Sequence, residues 1–188
     1  MMITTLGLLM AMIAILTYIP NLGYITTGLF SITIVGIPVF IGSILVGPLG
    51  GLVLGATWGI TSWHYATTLG TPEAALFVNP MVSIVPRILV GLIVSYSALS
   101  LRKLIKNEYA RNTVVAVLGA LSNTILVLSS MLLFAATGLV TNFTQGVAFI
   151  FGIVISVNGS LEMISAALIV PVIIRAVSKV IRTVPKSN

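Results

Sequence analysis

Cysteine and charged residues are what this 188-residue chain has least of. Cysteine is absent, and only 6% of the residues are charged, nine of them Lys or Arg and three Asp or Glu. Without cysteine, disulfide bonds and thiolate chemistry are excluded. One histidine and three acids are too few for an ordinary multi-ligand metal site, so no metal centre is expected.

Apolar residues fill the chain instead. They make up 58% of it and give a mean hydropathy of +1.20, far outside the balance of a soluble domain. The chain is therefore predicted to be an integral membrane protein. Its net charge of +6 comes from basic residues in two short tracts, which indicates membrane orientation rather than nucleic-acid binding.

The apolar runs predict the fold class. A membrane-crossing helix needs about 20 apolar residues, and the sequence predicts six such helices. The whole chain, residues 1–188, is thus expected to be a single all-α transmembrane domain. The predicted spans are approximately 3–19, 32–46, 47–63, 81–99, 113–135 and 161–177. The segment 22–31 between the first two spans is expected to be a loop.

A further apolar run precedes the last span. Val147–Val157 has only about 11 residues, too few to cross a bilayer. The polar sequence Asn158-Gly159-Ser160 then separates it from the next apolar run. We expect 147–157 to be a re-entrant or interfacial segment.

The third span carries a glycine at every fourth position. These residues, Gly47, Gly51, Gly55 and Gly59, form a small-xxx-small ridge. Such a ridge lets a neighbouring backbone approach closely, so we expect it to serve helix packing.

The basic residues predict the orientation of the chain. All of them except Arg87 lie in the 102–111 loop or in the tract that begins at Arg175. The positive-inside rule places both of these regions, and with them both termini, in the cytoplasm. His64, the 65–80 loop and the break at 158–162 are then expected on the outer side.

Arg87 is the most informative single residue. It lies inside an apolar stretch, where an arginine at a helix centre costs about 2.5–3.5 kcal/mol on insertion scales, so it needs a partner or a polar cavity. Pro86 lacks an N–H, so the Val82 carbonyl should lose its helical partner and the helix should bend there. Arg87 is expected to contact a ligand, to pair with Glu162 as a brace, or to do both.

Polar and aromatic residues on the outer side complete the predicted site. Asn123 either bonds between helices or contacts ligand, and Asn158 either makes a turn or lines a cavity. The aromatic cluster at 63–65 is either an interfacial anchor or a lid. The expected substrate-binding residues are Trp63, His64, Tyr65, Asn79, Arg87, Asn123, Asn158 and Glu162.

Motifs for catalysis are missing from the sequence. It has no P-loop, no carboxylates at catalytic spacing and no nucleophile with a nearby base, so the chain is expected not to be an enzyme. Two other classes stay open. One is an intramembrane enzyme that uses His64, Arg87 and Glu162, and the other is a structural membrane scaffold braced by Arg87 and Glu162.

Four segments carry a family resemblance. They are Ser31–Pro38, Asn79–Leu89, Leu121–Thr124 and Asn158–Glu162. Together they resemble the substrate-binding S components of energy-coupling factor (ECF) transporters, and the likeness covers nearly the whole chain. The branch that they resemble includes the pantothenate and the pyridoxine or hydroxymethylpyrimidine S components.

The resemblance implies a six-helix vitamin binder of the bacterial cell membrane. It would work with a transmembrane coupling subunit and two cytoplasmic ATPases, which use the ATP, while this chain would need no cofactor. The resemblance also implies that the chain topples in the membrane to deliver its vitamin. An AxxxA pattern on the first helix contacts the coupling subunit in this family, and Gly7 and Ala11 stand at the matching positions.

The chemistry of the site favours one vitamin of that branch. Arg87 suits a carboxylate, and the asparagines suit hydroxyl and amide groups. Pantothenate carries all three groups, so it is the expected substrate. A neutral pyridine or pyrimidine alcohol would instead stack on Trp63 or Tyr65 and leave Arg87 to Glu162.

Overall fold

The computed structural model describes the backbone of residues 2–27, 30–69, 74, 77–136 and 145–183. Within these ranges the chain is helical apart from one β-hairpin. The helices are α1 Met2–Tyr18, α2 Gly36–Val46, α3 Pro48–Leu69, α4 Pro80–Ser83, α5 Val85–Leu104, α6 Glu108–Ala136 and α7 Gln145–Thr183. Helix α4 is a single turn, so six longer helices correspond to the six that the sequence predicts.

In the part of the chain that the structure describes, three segments are long and apolar enough to cross a membrane. They are Pro80–Leu104, Glu108–Leu133 and Gly159–Lys179, whereas α1 and α2 are shorter apolar helices. The predicted helical fold is confirmed, and these apolar helices are those of a membrane protein. The count of six crossings stays a prediction.

The segment between α1 and α2 is a hairpin and not the expected loop. Strand β1, Tyr24–Thr27, pairs antiparallel with β2, Phe30–Thr33. Both strands are rich in β-branched and aromatic residues, which favour extended backbone. The predicted all-α fold therefore needs this one correction.

The predicted break before the last span is also wrong. Helix α7 runs without interruption through Asn158, Gly159 and Ser160. Gly159 lies against α6, where an added Cβ would meet the side chain of Thr124. This glycine therefore allows the close approach of two helices rather than a turn. Whether the part of α7 before Gly159 enters the membrane stays a prediction.

The glycine ridge packs α3 against the α4–α5 region. An added Cβ at Gly51 would meet the Gly91 carbonyl oxygen, one at Gly55 would lie 2.5 Å from the Arg87 carbonyl oxygen, and one at Gly59 would lie 2.7 Å from the Ile84 Cα. The predicted packing role is thus confirmed for these three glycines. Gly47 precedes the ridge and ends α2 with a φ of +89°, a conformation that favours glycine.

The core lies where α2, α3, α5 and α6 meet. Phe40 of α2 and Trp58 and Leu54 of α3 are fully buried there, together with Val90 and Val94 of α5. The glycine ridge lets the backbone of α3 lie directly against the backbone of Arg87. Trp58, which follows Gly55 by three residues on α3, is thereby brought close to that arginine. This register positions the candidate site.

Candidate functional site

Arg87 lies at a break between two helices. Helix α4 ends at Ser83, α5 begins at Val85, and Pro86 occupies the first turn of α5. Proline offers no N–H to the Val82 carbonyl, so this oxygen lacks its usual helical partner. Arg87 Nη1 donates to it instead, at 2.8 Å. The helix is interrupted at Ile84, and the arginine itself satisfies the carbonyl that the proline leaves without a helical partner. The predicted bend stays a prediction.

Two aromatic rings enclose the Arg87 guanidinium. Its Cζ lies 5.5 Å from the centre of the Trp58 ring and 5.1 Å from that of Phe77. Both distances are within the range of cation–π attraction, which strengthens as a site loses water. Arg87 is only 7% exposed. The rings and the Val82 carbonyl therefore hold the guanidinium in one orientation.

One donor of this guanidinium has no partner among the described residues. Nη1 is used by Val82, whereas Nε is buried and has no hydrogen-bond partner in the described part of the chain. Nε and Nη2 form the side-on edge of the fork, which matches the two oxygens of a carboxylate. A buried donor without a partner is costly. The geometry thus fits an anionic group that approaches from outside the chain.

Glu162 and Asn123 form a second polar group. Asn123 Nδ2 lies 3.3 Å from Glu162 Oε2 and 3.5 Å from Oε1, and each residue is 6% exposed. The Asn123 Oδ1 atom is buried without a partner among the described residues. The hydrogen bond between helices that was one expectation for Asn123 is thus present. The Asn123 Oδ1 atom remains as an acceptor without a donor in the described part of the chain.

Arg87 and Glu162 do not brace each other directly. Within the described residues no salt bridge joins them. Trp58 lies close to both groups. Its ring faces Arg87, and its Cη2 atom and Glu162 Oε1 each lie 3.3 Å from the point where a Cβ of Gly36 would be. The hypothesis of a structural scaffold required an ion pair between Arg87 and Glu162, and the described residues show no such ion pair.

The aromatic cluster at 63–65 holds elements together. Helix α3 extends to Leu69 rather than ending near Trp63. Trp63 Nε1 donates to the Val78 carbonyl at 2.8 Å, and His64 Nδ1 lies 3.1 Å from the Tyr18 hydroxyl. These side chains tie α3 to α1 and to the segment before α4.

Tyr65 belongs to the same aromatic group. It stacks on Tyr24 of the hairpin with ring centres 5.5 Å apart, and the Tyr24 hydroxyl bonds to Ser62 at 2.7 Å. Tyr65 therefore already has one ring face covered. Its ligand-binding role, like those of Trp63 and His64, stays a prediction.

Asn79 and Asn158 have different positions from those expected. Asn79 caps α4, and its Oδ1 accepts from Met81 N at 2.9 Å. Ser83 donates to the Phe77 carbonyl at 2.5 Å, so the cap shapes the turn that presents Phe77 to Arg87. Asn158 lies in the continuous helix α7, and its side chain is outside the described part of the structure.

The sequence reasoning missed Trp58, Phe77 and Gly36 as site residues. A signal for Trp58 was available. The glycine ridge sets Gly55 against Arg87, and a residue three positions further along a helix lies on the same face. Phe77 stood in the stretch around Arg87 but had no pattern of its own.

Gly7 and Ala11 lie on the outer face of α1. The buried side of that helix is formed by Leu6, Leu9 and Ile13, whereas both small residues are exposed. An added Cβ at Gly7 would meet nothing within 4 Å. This face is open to a neighbouring subunit or to lipid.

Fold and site together are those of a membrane-embedded component that binds a small ligand among buried polar groups. The family of ECF transporter substrate-specific components has a sequence model that matches residues 1–174, and the chain belongs to this family. The resemblance found in the sequence motifs is thereby confirmed. Members of the family are membrane subunits that work with an ECF module, so a transport role is supported over the intramembrane enzyme.

Two curated relatives carry names that specify a substrate. The pantothenic acid transporter PanT of Lactococcus lactis subsp. cremoris (strain MG1363) is 30% identical over 161 residues, which cover 78% of each chain. The pantothenate transporter PanT of Leuconostoc mesenteroides subsp. mesenteroides is 33% identical over 178 residues, 87% of this chain and 85% of the relative.

Proposed function

We propose that this chain is the pantothenate-binding component of an ECF-type importer. The observation that carries the proposal is the unpartnered Nε of the buried Arg87, whose guanidinium lies over the rings of Trp58 and Phe77. Pantothenate ends in a carboxylate that can take both donors of the side-on edge of this guanidinium. The names of the two curated relatives point to the same vitamin.

The enclosure of Arg87 explains how a dilute anion can be held. Carboxylate and guanidinium meet in a site of low dielectric constant, where charge-assisted hydrogen bonds are stronger than in water. The aromatic rings and the Val82 carbonyl fix the cation before the ligand arrives, so little conformational entropy is lost on binding.

Pyridoxine and hydroxymethylpyrimidine fit this arrangement less well. A neutral heteroaromatic alcohol needs free ring faces rather than a cation. One face of Tyr65 is covered by Tyr24, and one face of Trp58 is covered by Arg87. The site therefore favours the carboxylate over the neutral ring.

The partners and the transport cycle belong to the same proposal. The chain lies in the bacterial cell membrane with both termini in the cytoplasm. It joins a transmembrane coupling subunit and two cytoplasmic ATPases, and those ATPases use the ATP. The open face at Gly7 and Ala11 contacts the coupling subunit, and toppling of the chain carries the bound vitamin inward.

The experiment is binding by the purified chain in lipid nanodiscs. Native mass spectrometry against a panel of water-soluble vitamins should retain pantothenate. In calorimetry, Arg87→Gln should weaken pantothenate binding by well over tenfold, because truncating one partner of a buried charge pair costs about 2–5 kcal/mol. Arg102→Gln, which alters an exposed arginine in the last turn of α5, is the matched control.

Two results would count against the proposal. One is retention of another vitamin in place of pantothenate. The other is wild-type affinity for pantothenate in Arg87→Gln, which would reject the carboxylate role of that residue.

A further inference from the structure

We propose that pantothenate binds in one direction, with its carboxylate on Arg87 and its two hydroxyls on Glu162 and Asn123. We propose further that Glu162 makes the site reject the vitamin once its terminal hydroxyl is phosphorylated. This inference rests on the proposed function and adds the orientation and selectivity of that same site.

The first step is that the site has two distinct polar ends. Arg87 supplies donors only, and its Nε is unpartnered within the described residues. Glu162 and Asn123 form the other end, bonded to each other at 3.3 Å and without a salt bridge to Arg87. Trp58 is close to both ends, because its ring lies over Arg87 and its Cη2 and Glu162 Oε1 each lie 3.3 Å from the point where a Cβ of Gly36 would be. A ligand that satisfies both ends must be bifunctional.

The second step is that the far end asks for hydroxyl donors. The Asn123 amide spends its Nδ2 on Glu162, which leaves the buried Oδ1 as an acceptor with no partner in the described chain. A ligand hydroxyl can donate to this oxygen, whereas a carboxylate cannot donate at all. Pantothenate has its two hydroxyls at the end opposite its carboxylate, so only one direction pairs both ends.

The third step concerns the middle of the ligand. The buried indole N–H of Trp58 has no partner among the described residues. A donor between the two ends suits the amide carbonyl that joins the two halves of pantothenate. The unpartnered donors of Arg87 and Trp58 and the unpartnered acceptor of Asn123 then match the carboxylate, amide and hydroxyls of the ligand.

The fourth step gives the selectivity. Phosphorylation of the terminal hydroxyl adds a charge of about −1.5 to −2 and replaces a donor by acceptors. That group would meet the Glu162 carboxyl and the unpaired Asn123 oxygen. It would also need space near Gly36, where even an added Cβ would lie 3.3 Å from Glu162, Phe40 and Trp58. The site is therefore built for the free vitamin.

Panthenol separates the two ends experimentally, since it has an alcohol in place of the carboxylate and keeps both hydroxyls. Competition against labelled pantothenate in nanodiscs gives the affinity ratio of pantothenate to panthenol. Arg87→Gln should reduce this ratio toward one. Glu162→Gln and Asn123→Leu should weaken both compounds by roughly tenfold and keep the wild-type ratio, because each variant removes a hydroxyl contact that both share.

The phosphate ester tests the selectivity directly. The wild-type chain should not bind 4′-phosphopantothenate at concentrations that saturate pantothenate. Glu162→Gln should narrow that discrimination, because it removes the negative charge and keeps the size of the side chain. Asn112→Leu is the matched control, since Asn112 is a buried asparagine about 16 Å before Asn123 on α6 and its replacement should leave every affinity unchanged.

The outcomes distinguish the two proposals. If the wild-type chain fails to bind pantothenate, the proposed function fails. If it binds pantothenate but Glu162→Gln or Asn123→Leu alters the pantothenate-to-panthenol ratio, the carboxylate lies at that end and the orientation is reversed. Wild-type affinities in both of these variants, or equal binding of the phosphate ester by the wild-type chain, would also overturn the inference. The melting temperature of each variant checks that it is folded. Because Glu162→Gln and Asn123→Leu test the same end of the site, one of them still gives a result if the other does not fold.

Discussion

Replacing Pro86 by alanine tests how Arg87 is held. In the wild-type chain the Val82 carbonyl receives Arg87 Nη1 at 2.8 Å, because proline has no N–H to give. Alanine restores that N–H one turn after Val82, where the helix can use it. The backbone bond then competes with Arg87 for the same oxygen, and the guanidinium loses one of the three contacts that orient it.

The size of the effect follows from the lost bond. A hydrogen bond to a charged group contributes about 1.5–3 kcal/mol. The rings of Trp58 and Phe77 still enclose the guanidinium, so we expect the loss in binding to lie at the low end of this range. At about 1.4 kcal/mol per factor of ten, pantothenate should bind roughly tenfold more weakly. The melting temperature should not fall, because alanine continues a helix that proline interrupts.

The assay is calorimetry with pantothenate, paired with a thermal melt in the same nanodiscs. Pro80→Ala is the matched control, because Pro80 occupies the first position of α4, where an N–H has no helical partner in any case. Wild-type affinity in Pro86→Ala, with a melting temperature at or above that of the wild type, would refute the role of the helix break in holding Arg87.

Three further predictions follow from the same contacts. Gly51→Val should lower stability by roughly 2 kcal/mol or more in a thermal melt, because its side chain would collide with the Gly91 backbone; Gly7→Val, into open space, should not. Phe77→Leu should weaken pantothenate binding severalfold in calorimetry, since cation–π attraction contributes about 0.5–2 kcal/mol. Ala11→Trp should abolish uptake into proteoliposomes that hold the full transporter while binding to the isolated chain persists.

Each of these predictions has a result that contradicts it. A wild-type melting temperature in Gly51→Val would mean that the ridge does not set the distance between α3 and α5. Unchanged affinity in Phe77→Leu would leave Trp58 as the only aromatic partner that matters to Arg87. Normal uptake by Ala11→Trp would remove the proposed docking face.

The site could be foreseen only in part. The pair Pro86 and Arg87 follows from two local rules, the missing N–H and the cost of a buried cation, and the structure has both the break and a buried arginine. The partner that satisfies Arg87 in the structure, the Val82 carbonyl, is also local. The rings around it are not, because Trp58 is far away along the chain and reaches Arg87 only through the packing of α3.

Glycine shows why some boundaries were predicted wrongly. The same residue serves a turn or a close helix contact, and the sequence near Gly159 supports either use. Only the neighbouring helix decides between them, since Thr124 of α6 lies where a Cβ of Gly159 would be. The packing role of the α3 glycines was easier to predict, because the repeat from Gly51 to Gly59 with a spacing of four defines one face of a helix.

Composition, the apolar runs and the four motifs by themselves determined the membrane class, the helical fold, the family and the importance of Arg87. These properties depend on single residues and on local periodicity, which the sequence displays directly. Only the tertiary structure decided that Arg87 lies between Trp58 and Phe77, that Glu162 bonds Asn123 instead of Arg87, and that α7 is continuous. Those facts depend on the register of one helix against another, which long-range packing fixes.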